Sequence, residues 1–244
     1  MNFNYIEEKI AFEGGSVIIA GSGPGAVELL TYKVYGAIKT ADVIIYDALV
    51  NPNILDFARK NCKLIFAGKT SNKKACSQSD INKWMIEFCK KKYKVLRLKG
   101  GDSSFFSRVS QETKFLSKHK ISFKVFSGIT AAQESVKNLG ISFFNDSNIC
   151  NFITGHRKIQ NKSIEVNYEM FCKNKGKIII YMGIGQIGTV KRNLIKFGKH
   201  LDSKVFIITN ASLKDEKKYV TILKDAPDFF LKHDIKPPGI IVIE

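Results

Sequence analysis

The sequence predicts an α/β protein built from two α/β domains. Three observations carry this. Short apolar runs bounded by Gly, Pro and Asp alternate with stretches of helical periodicity between residue 17 and about residue 139. Beyond that point strands recur with few helices between them, so a mixed sheet replaces the alternating pattern. The length of 244 residues and the apolar fraction of 44% suit one large domain or two small ones with sizeable cores. The domains are placed at 15–127 and 128–244.

Residues 1–14 are polar and unpatterned and read as an arm. Val17 to Ala20 is the first strand and Gly21 to Gly25 a loop. Leu29, Leu30, Val34, Ala37 and Ile38 then fall at helical spacing between Glu28 and Thr40. Asp42 to Tyr46 is the second strand, closed by Asp47. A helix follows from about Pro52 to Lys60, with Pro in its first turn. Lys63 to Ala67 is the third strand, and residues 70–77 are a polar loop. Ser79 and Asp80 introduce a periodic helix from Ile81 to Lys91. Val95 to Leu98 reads as a buried strand, followed by a helix from Ser110 to His119. Phe123 to Phe126 is a fifth strand, and a short helix runs through Leu139. The later strands lie at 149–153, 177–182, 205–209, 219–223 and 240–243, with helices at 187–197 and 228–232.

Composition narrows the function. No apolar run approaches the roughly 20 residues a membrane helix needs. The N-terminus lacks a basic flank followed by an apolar core, so no secretory signal is expected and the expected location is the cytoplasm. Cys62, Cys76, Cys89, Cys150 and Cys172 are odd in number and scattered, without a CxxC pair. Neither a disulfide framework nor a zinc site is expected, and His119, His156, His200 and His233 show no metal-ligand spacing. Net charge is +17, which invites a nucleic-acid or membrane-surface partner. The excess is nearly all lysine, spread along the chain, and arginine occurs only at 59, 97, 108, 157 and 192. Arginine is the preferred residue for bidentate phosphate and base contacts, so nucleic acid is disfavoured. Solvated lysine faces and a polyanionic small substrate remain as explanations of the charge.

The candidate site comes from where the unusual residues fall. Gly21–Gly25, Asp47, Gly68-Lys69, Gly100–Asp102 and Gly128–Ala131 all follow predicted strands. In a parallel sheet those ends share one edge, where open α/β folds bind ligands. Glycines there admit a close main-chain approach, and Asp102 is an acceptor for hydroxyl or ammonium groups. Taken alone, Gly100-Gly101-Asp102 also suits a tight turn with a helix-capping Asp. The first loop looks like a dinucleotide fingerprint, but Pro24 removes a backbone N–H from the cradle a pyrophosphate would need.

In order, the chain carries GSGPGAVELLT at 21–31, ADVIIYDALV at 41–50, Gly68-Lys69-Thr70, RLKGGDSSFFSRVSQE at 97–112, SGITAA at 127–132, Thr154-Gly155-His156 and Tyr181-Met182-Gly183. This ordered set resembles the tetrapyrrole methylases, and within them the uroporphyrinogen-III C-methyltransferases. The resemblance runs from about residue 16 to the C-terminus. It implies a two-domain methyltransferase of the tetrapyrrole methylase fold (class III), a homodimer, with S-adenosylmethionine in the cleft between the domains. By this resemblance the cofactor contacts are Pro24, Gly100, Gly101, Asp102, Phe105, Thr130, Ala131, Met182 and Ala211, with S-adenosylhomocysteine as product and no metal. The implied reaction methylates uroporphyrinogen III at C2 and C7 to give precorrin-2, on the way to sirohaem and cobalamin. Asp47 matches the family's proton acceptor and Lys69 its proton donor. An ion pair between these two, or a substrate-binding role for Lys69, remains open. Arg108 and nearby lysines suit a substrate carrying eight carboxylates.

The departures concentrate on the substrate side. Where the family reads P-L-T-H-R, this chain has Ser142-Phe143-Phe144-Asn145-Asp146. An arginine is lost at Ala48, an acid at Gln111, and a glycine at Ala211 in the loop Asn210-Ala211-Ser212. Three readings follow: lysines replace the lost arginines, the substrate is a different tetrapyrrole, or the chain is a decayed copy. Outside this branch stand a methyltransferase acting on a later corrin intermediate or an RNA base, and a basic nucleic-acid-binding protein without catalysis.

Overall fold

The computed structural model describes residues 10, 12–68, 76–144, 147–155, 158–159, 162–163 and 166–244. The chain divides into two compact units, Met1–Thr130 and Ala131–Glu244.

The first unit holds a parallel sheet of β1 (Val17–Gly21), β2 (Val43–Tyr46), β3 (Lys63–Phe66), β4 (Val95–Lys99) and β5 (Phe123–Phe126), in the order β3-β2-β4-β1-β5. The central strands β1 and β4 are buried throughout, because both faces of the sheet are covered; this explains the unbroken apolar run of β1, while β4 is apolar except at Arg97 and Lys99. Side chains alternate between the faces. Ile18, Ala20, Ile44, Leu96 and Leu98 pack with α1 (Tyr32–Thr40) and α2 (Pro52–Leu55) on one side. Val17, Ile19, Val43, Ile45 and Val95 pack with α3 (Gln78–Lys90) and α4 (Val109–Lys118) on the other. The chain moves out to the β3 edge, then returns through β4 to β5, so every strand ends on the same edge.

Local chemistry shifts several predicted boundaries. The expected helix 28–40 is split into a 3-10 turn, Val27–Leu29, and α1, because the Thr31 hydroxyl caps the Val34 N–H and restarts the helix. Helix α2 stops at Leu55 rather than Lys60. Helix α3 begins three residues before Ile81, where Ser77 and Asp80 form a reciprocal capping box.

The second unit contains α5 (Ala131–Asn138), β6 (Cys150–Thr154), the antiparallel pair β7 (Lys158–Ile159) and β8 (Lys162–Ser163), α6 (Tyr168–Lys173), β9 (Lys177–Tyr181), α7 (Ile187–Lys196), β10 (Lys204–Thr209), β11 (Lys217–Ile222), α8 (Ala226–Lys232) and β12 (Gly239–Ile243). Its main sheet runs β11-β10-β12-β9-β6 and is mixed: β6 pairs parallel with β9, and the other pairs are antiparallel. Ile178, Ile180, Val205, Ile207, Ile241 and Ile243 bury one face against α6, α7 and α8. Ile179, Ile240 and Val242 bury the other against Ala132 and Val136 of α5. Helix α6 and the β7–β8 pair are absent from the sequence reading. Helix α6 is too short for periodicity to reveal, and its main signal is the Asn167 cap on the Met170 N–H. Among the described residues no helix is long and apolar enough to cross a membrane.

Candidate active site

In the first unit the strand ends bring backbone against backbone. Gly23 and Gly101 exchange N–H to carbonyl bonds of 3.1 and 2.7 Å, joining the loop after β1 to the loop after β4. A Cβ on Gly128 would lie 2.4 Å from the Gly101 carbonyl oxygen and 2.5 Å from that of Gly21. Only glycine permits this approach. Asn51 donates to the Gly25 carbonyl at 2.8 Å and fixes the far side of the first loop. The Ser22 hydroxyl is buried there with no hydrogen-bond partner among the described residues. Pro24 is half-buried in the same loop.

Asp102 is 8% exposed and ties this loop system together. One carboxylate oxygen accepts from the Ser104 N–H at 2.7 Å and from the Ser104 hydroxyl; the other accepts from the Gly128 N–H at 2.9 Å. Gly100 packs under Leu49, where a Cβ would meet the Leu49 Cβ at 2.7 Å. Phe105 and Phe106 lie partly exposed, their ring centroids 6.5 Å apart, and Phe106 has φ of 43°. Thr130 is the last residue of the first unit and Ala131 the first of the second, and both are half-buried.

Beneath the edge lies a cluster of charges that the sequence reading did not single out. Arg97 and Lys99 are two apart on β4, so they share the face toward α3 and α4. Arg97 is 2% exposed. Its Nε donates to Glu112 at 3.1 Å, one terminal nitrogen donates to Asp47 at 2.5 Å, and the other donates to the Ile45 and Leu98 carbonyls at 3.3 Å. Lys99 lies 3.3 and 3.4 Å from the two Glu112 oxygens and 3.8 Å from Asp47. Gln78 of α3 donates to Glu112 at 3.2 Å and accepts from Arg108 at 3.5 Å. Burial, with the Arg97 charge beside it, holds the Lys99 ammonium below its usual range, while Glu112 and Asp47 oppose that shift. The available signal was two charges at alternate positions in an otherwise apolar central strand.

Two of the predicted catalytic residues, Asp47 and Arg108, fall among the described residues. Asp47 sits at the end of β2, its N–H bonded to the Leu98 carbonyl at 3.1 Å and its side chain 31% exposed above the cluster. Arg108 is exposed at the start of α4. Lys69 lies outside the described residues, as do Thr70, Asn145, Asp146 and His156.

In the second unit, β6, β9 and β10 run in the same direction and end on one edge. Met182, just past β9, has φ of 53° and is 51% exposed. Asn210 and Ser212, just past β10, have φ of 51° and 69° and flank buried Ala211. Non-glycine residues in this region cost conformational energy and cluster at functional sites. Glu216 holds the second loop by accepting from the Ser212 N–H and the Asn138 amide, each at 2.7 Å. Gly155 donates to the Tyr181 carbonyl at 2.7 Å, and a Cβ there would lie 2.7 Å from the Gly183 Cα. Among the described residues no three potential metal ligands come together.

Chemically, the first edge offers main-chain groups at close range and a carboxylate held in place by an arginine. The second offers an exposed thioether on strained backbone.

Comparison with known proteins gives one answer. Residues 16–227 match the tetrapyrrole (corrin/porphyrin) methylases. A siroheme synthase from Nitrosomonas europaea is 33% identical over 234 residues, covering 95% of this chain and 49% of that protein. One from Blochmanniella floridana is 36% identical, covering 94% and 50%. The chain spans about half the length of these curated relatives. A uroporphyrin-III C-methyltransferase from Thermus thermophilus, solved with S-adenyl homocysteine, aligns with a TM-score of 0.80 at 24% identity over 93% of this chain and 96% of that one. A cobalt precorrin-4 methyltransferase aligns with a TM-score of 0.82 at 19% identity, covering 94% of each chain. These structures establish the shared fold.

Proposed function

The chain belongs to the tetrapyrrole methylases, and on that premise we propose that it methylates uroporphyrinogen III at C2 and C7, giving precorrin-2. The observation that carries this reading is the common sheet edge in the first unit. Gly21–Gly25, Asp47, Gly100–Asp102 and Gly128–Thr130, the residues that carry the resemblance, all fall there.

S-adenosylmethionine supplies a sulfonium-activated methyl group that a ring carbon takes with its own electron pair, leaving S-adenosylhomocysteine. The glycine loops are the proposed cradle for such a cofactor: their backbones close on one another at the strand ends, and the Ser22 hydroxyl buried there has no hydrogen-bond partner among the described residues, which leaves a polar group to offer it. Pro24, Gly100, Gly101, Asp102, Phe105, Thr130, Ala131, Met182 and Ala211 are its proposed contacts, and Asp102 also keeps the loops in register. Asp47 is the proposed acceptor of the proton that the methylated ring must lose. Arg97 fixes its orientation, which is the larger part of what a general base needs. Arg108 is proposed to meet substrate carboxylates. Lys69 is retained as the proposed proton donor on the strength of the resemblance. The site needs no metal in this reading. The working form is proposed to be a homodimer in the cytoplasm, checked by sedimentation of the purified chain.

The deciding experiment incubates the protein anaerobically with enzymatically made uroporphyrinogen III and methyl-labelled S-adenosylmethionine and reads products by mass. Two added methyls per macrocycle are expected. No transfer in the presence of calorimetrically confirmed cofactor binding would overturn the substrate assignment and leave a later corrin intermediate as the reading. The exposed Phe144, in the segment where the family carries Thr-His-Arg, favours that alternative.

A further inference from the structure

The charge cluster under the first sheet edge contains two cations and two carboxylates, and only one carboxylate reaches the surface. Glu112 is 0% exposed. It touches Arg97, Lys99 and Gln78 and is too deep to meet a substrate. Burying a charge is expensive, so an anion at this depth needs partners, and here it has them on strand β4 and helix α3. Its effect on the surface carboxylate follows from the distances. Lys99 sits 3.3 and 3.4 Å from Glu112 but 3.8 Å from the Asp47 Oδ2, beyond hydrogen-bond reach. Arg97 spans the two carboxylates, with Nε on Glu112 and a terminal nitrogen on Asp47 Oδ1.

We infer that Glu112 is a positioning residue. It draws Lys99 away from Asp47 and aligns the Arg97 plane, and so keeps one Asp47 oxygen available to accept a proton. This rests on the reading of Asp47 as the proton acceptor. Among the described residues the charged groups facing Lys99 are Arg97 on its own strand, Asp47 after β2 and Glu112 on α4, with Gln78 of α3 bonded to Glu112 and Arg108 bonded to Gln78. Without the Glu112 charge, Lys99 has one anion left to pair with among the described residues and closes on Asp47 Oδ2. Both Asp47 oxygens then face cations, and proton acceptance becomes harder.

The test compares wild type with Glu112→Gln, Glu112→Asp and the double variant Lys99→Met/Glu112→Gln in the full chain. Glu112→Gln is expected to lower methyl transfer about 10- to 100-fold, the penalty for a misplaced reacting group, with the calorimetric Kd for S-adenosylmethionine within about twofold of wild type. Its rate recovers as pH rises and Lys99 loses its proton. Glu112→Asp retains the charge and most of the rate. Removing Lys99 in the double variant restores at least a third of the loss on a logarithmic scale, which a purely structural defect would not permit. Separately, 13C-lysine NMR, with Lys99 assigned through Lys99→Arg, should place the Lys99 titration lower in Glu112→Gln than in wild type, because Glu112 is one of the groups that raise it. An unmoved Lys99 titration, a Glu112→Gln rate within twofold of wild type, or a double variant no faster than the single one overturns the inference. If wild type transfers no methyl while the Lys99 titration moves as stated, the charge placement stands and the substrate reading fails.

Discussion

Gly128→Ala tests the close packing of the first sheet edge. The added Cβ would lie 2.4 Å from the Gly101 carbonyl oxygen, 2.5 Å from the Gly21 carbonyl oxygen and 2.7 Å from the Gly21 carbonyl carbon. These are backbone atoms of two loops held to each other through Gly23 and Gly101, so no flexible side chain can yield. The loops must part by about 1 Å to restore ordinary contact. Overpacking of this kind costs about 1–3 kcal/mol. The displacement also stretches the Gly128 N–H to Asp102 bond, a hydrogen bond to a buried carboxylate that contributes about 1.5–3 kcal/mol. Alanine returns about 0.4–1 kcal/mol by restricting the unfolded chain. The net loss is about 2–5 kcal/mol. Urea unfolding measures it, with Gly188→Ala as the control. A Cβ at Gly188 meets nothing within 4 Å, and the position lies in α7, so the control should gain about 0.5–1 kcal/mol. The same parting of loops should raise the Kd for S-adenosylmethionine at least about tenfold, as about 1.4 kcal/mol of lost binding would. A Gly128→Ala protein within about 0.5 kcal/mol of wild type, the ordinary range for surface changes, and with unaltered cofactor affinity would refute the reasoning.

Three further outcomes follow from the structure. Asp47→Asn should reduce methyl transfer by about 10²- to 10⁴-fold, the usual contribution of a positioned acid or base, while cofactor affinity holds; a rate within tenfold of wild type would move the proton acceptor elsewhere. Because Lys99 is held below its usual 10.5 in the folded state, the unfolded chain binds more protons between the two values, and stability from this group rises with pH across that window. The unfolding free energy of wild type relative to Lys99→Met should therefore climb as pH approaches 10.5, and a flat difference would contradict the placement. Burial pushes the Cys89 thiol up to about 11, so a thiol reagent at neutral pH should label it only after unfolding; labelling in the native state would show that its pocket opens.

Much of this architecture is legible in the sequence, for physical reasons that also mark where legibility ends. The central strands β1 and β2, and β4 apart from Arg97 and Lys99, are apolar because both faces are covered, and each is followed or closed by Gly or Asp because the chain must turn there. The close approach at Gly21, Gly101 and Gly128 leaves a trace because only one residue type fits. The split of the first helix at Thr31 is harder to see, since a capping threonine inside a periodic stretch looks like an ordinary helix residue. Arg97 and Lys99 are harder still. A charge within a strand usually marks a solvated face, and nothing local announces that Glu112, thirteen residues past Lys99, lies beneath it. The strained backbone at Met182 and Asn210 is invisible for the same reason: positive φ at a non-glycine residue is imposed by the surroundings rather than chosen by the side chain.

The buried cluster also bears on how the chain could hold a polyanionic substrate. Among the described residues, Arg97 and Lys99 pair with the Asp47 carboxylate, yet both are buried, and two carboxylates balance them. They have little net charge to offer a ligand above the sheet edge. The arginine that the family carries at position 48 is alanine here, and nothing in the cluster beneath replaces it. In the proposed reading, attraction for substrate carboxylates would then come from exposed groups such as Arg108, which bonds Gln78 at the rim of the cluster. Charges in water are screened and less directional than a buried bidentate pair. The large positive charge of the chain therefore suits drawing an anionic macrocycle toward the protein more than fixing its orientation. In the proposed reading, orientation at the reacting carbon falls largely to Asp47, whose own position is set from below by Arg97.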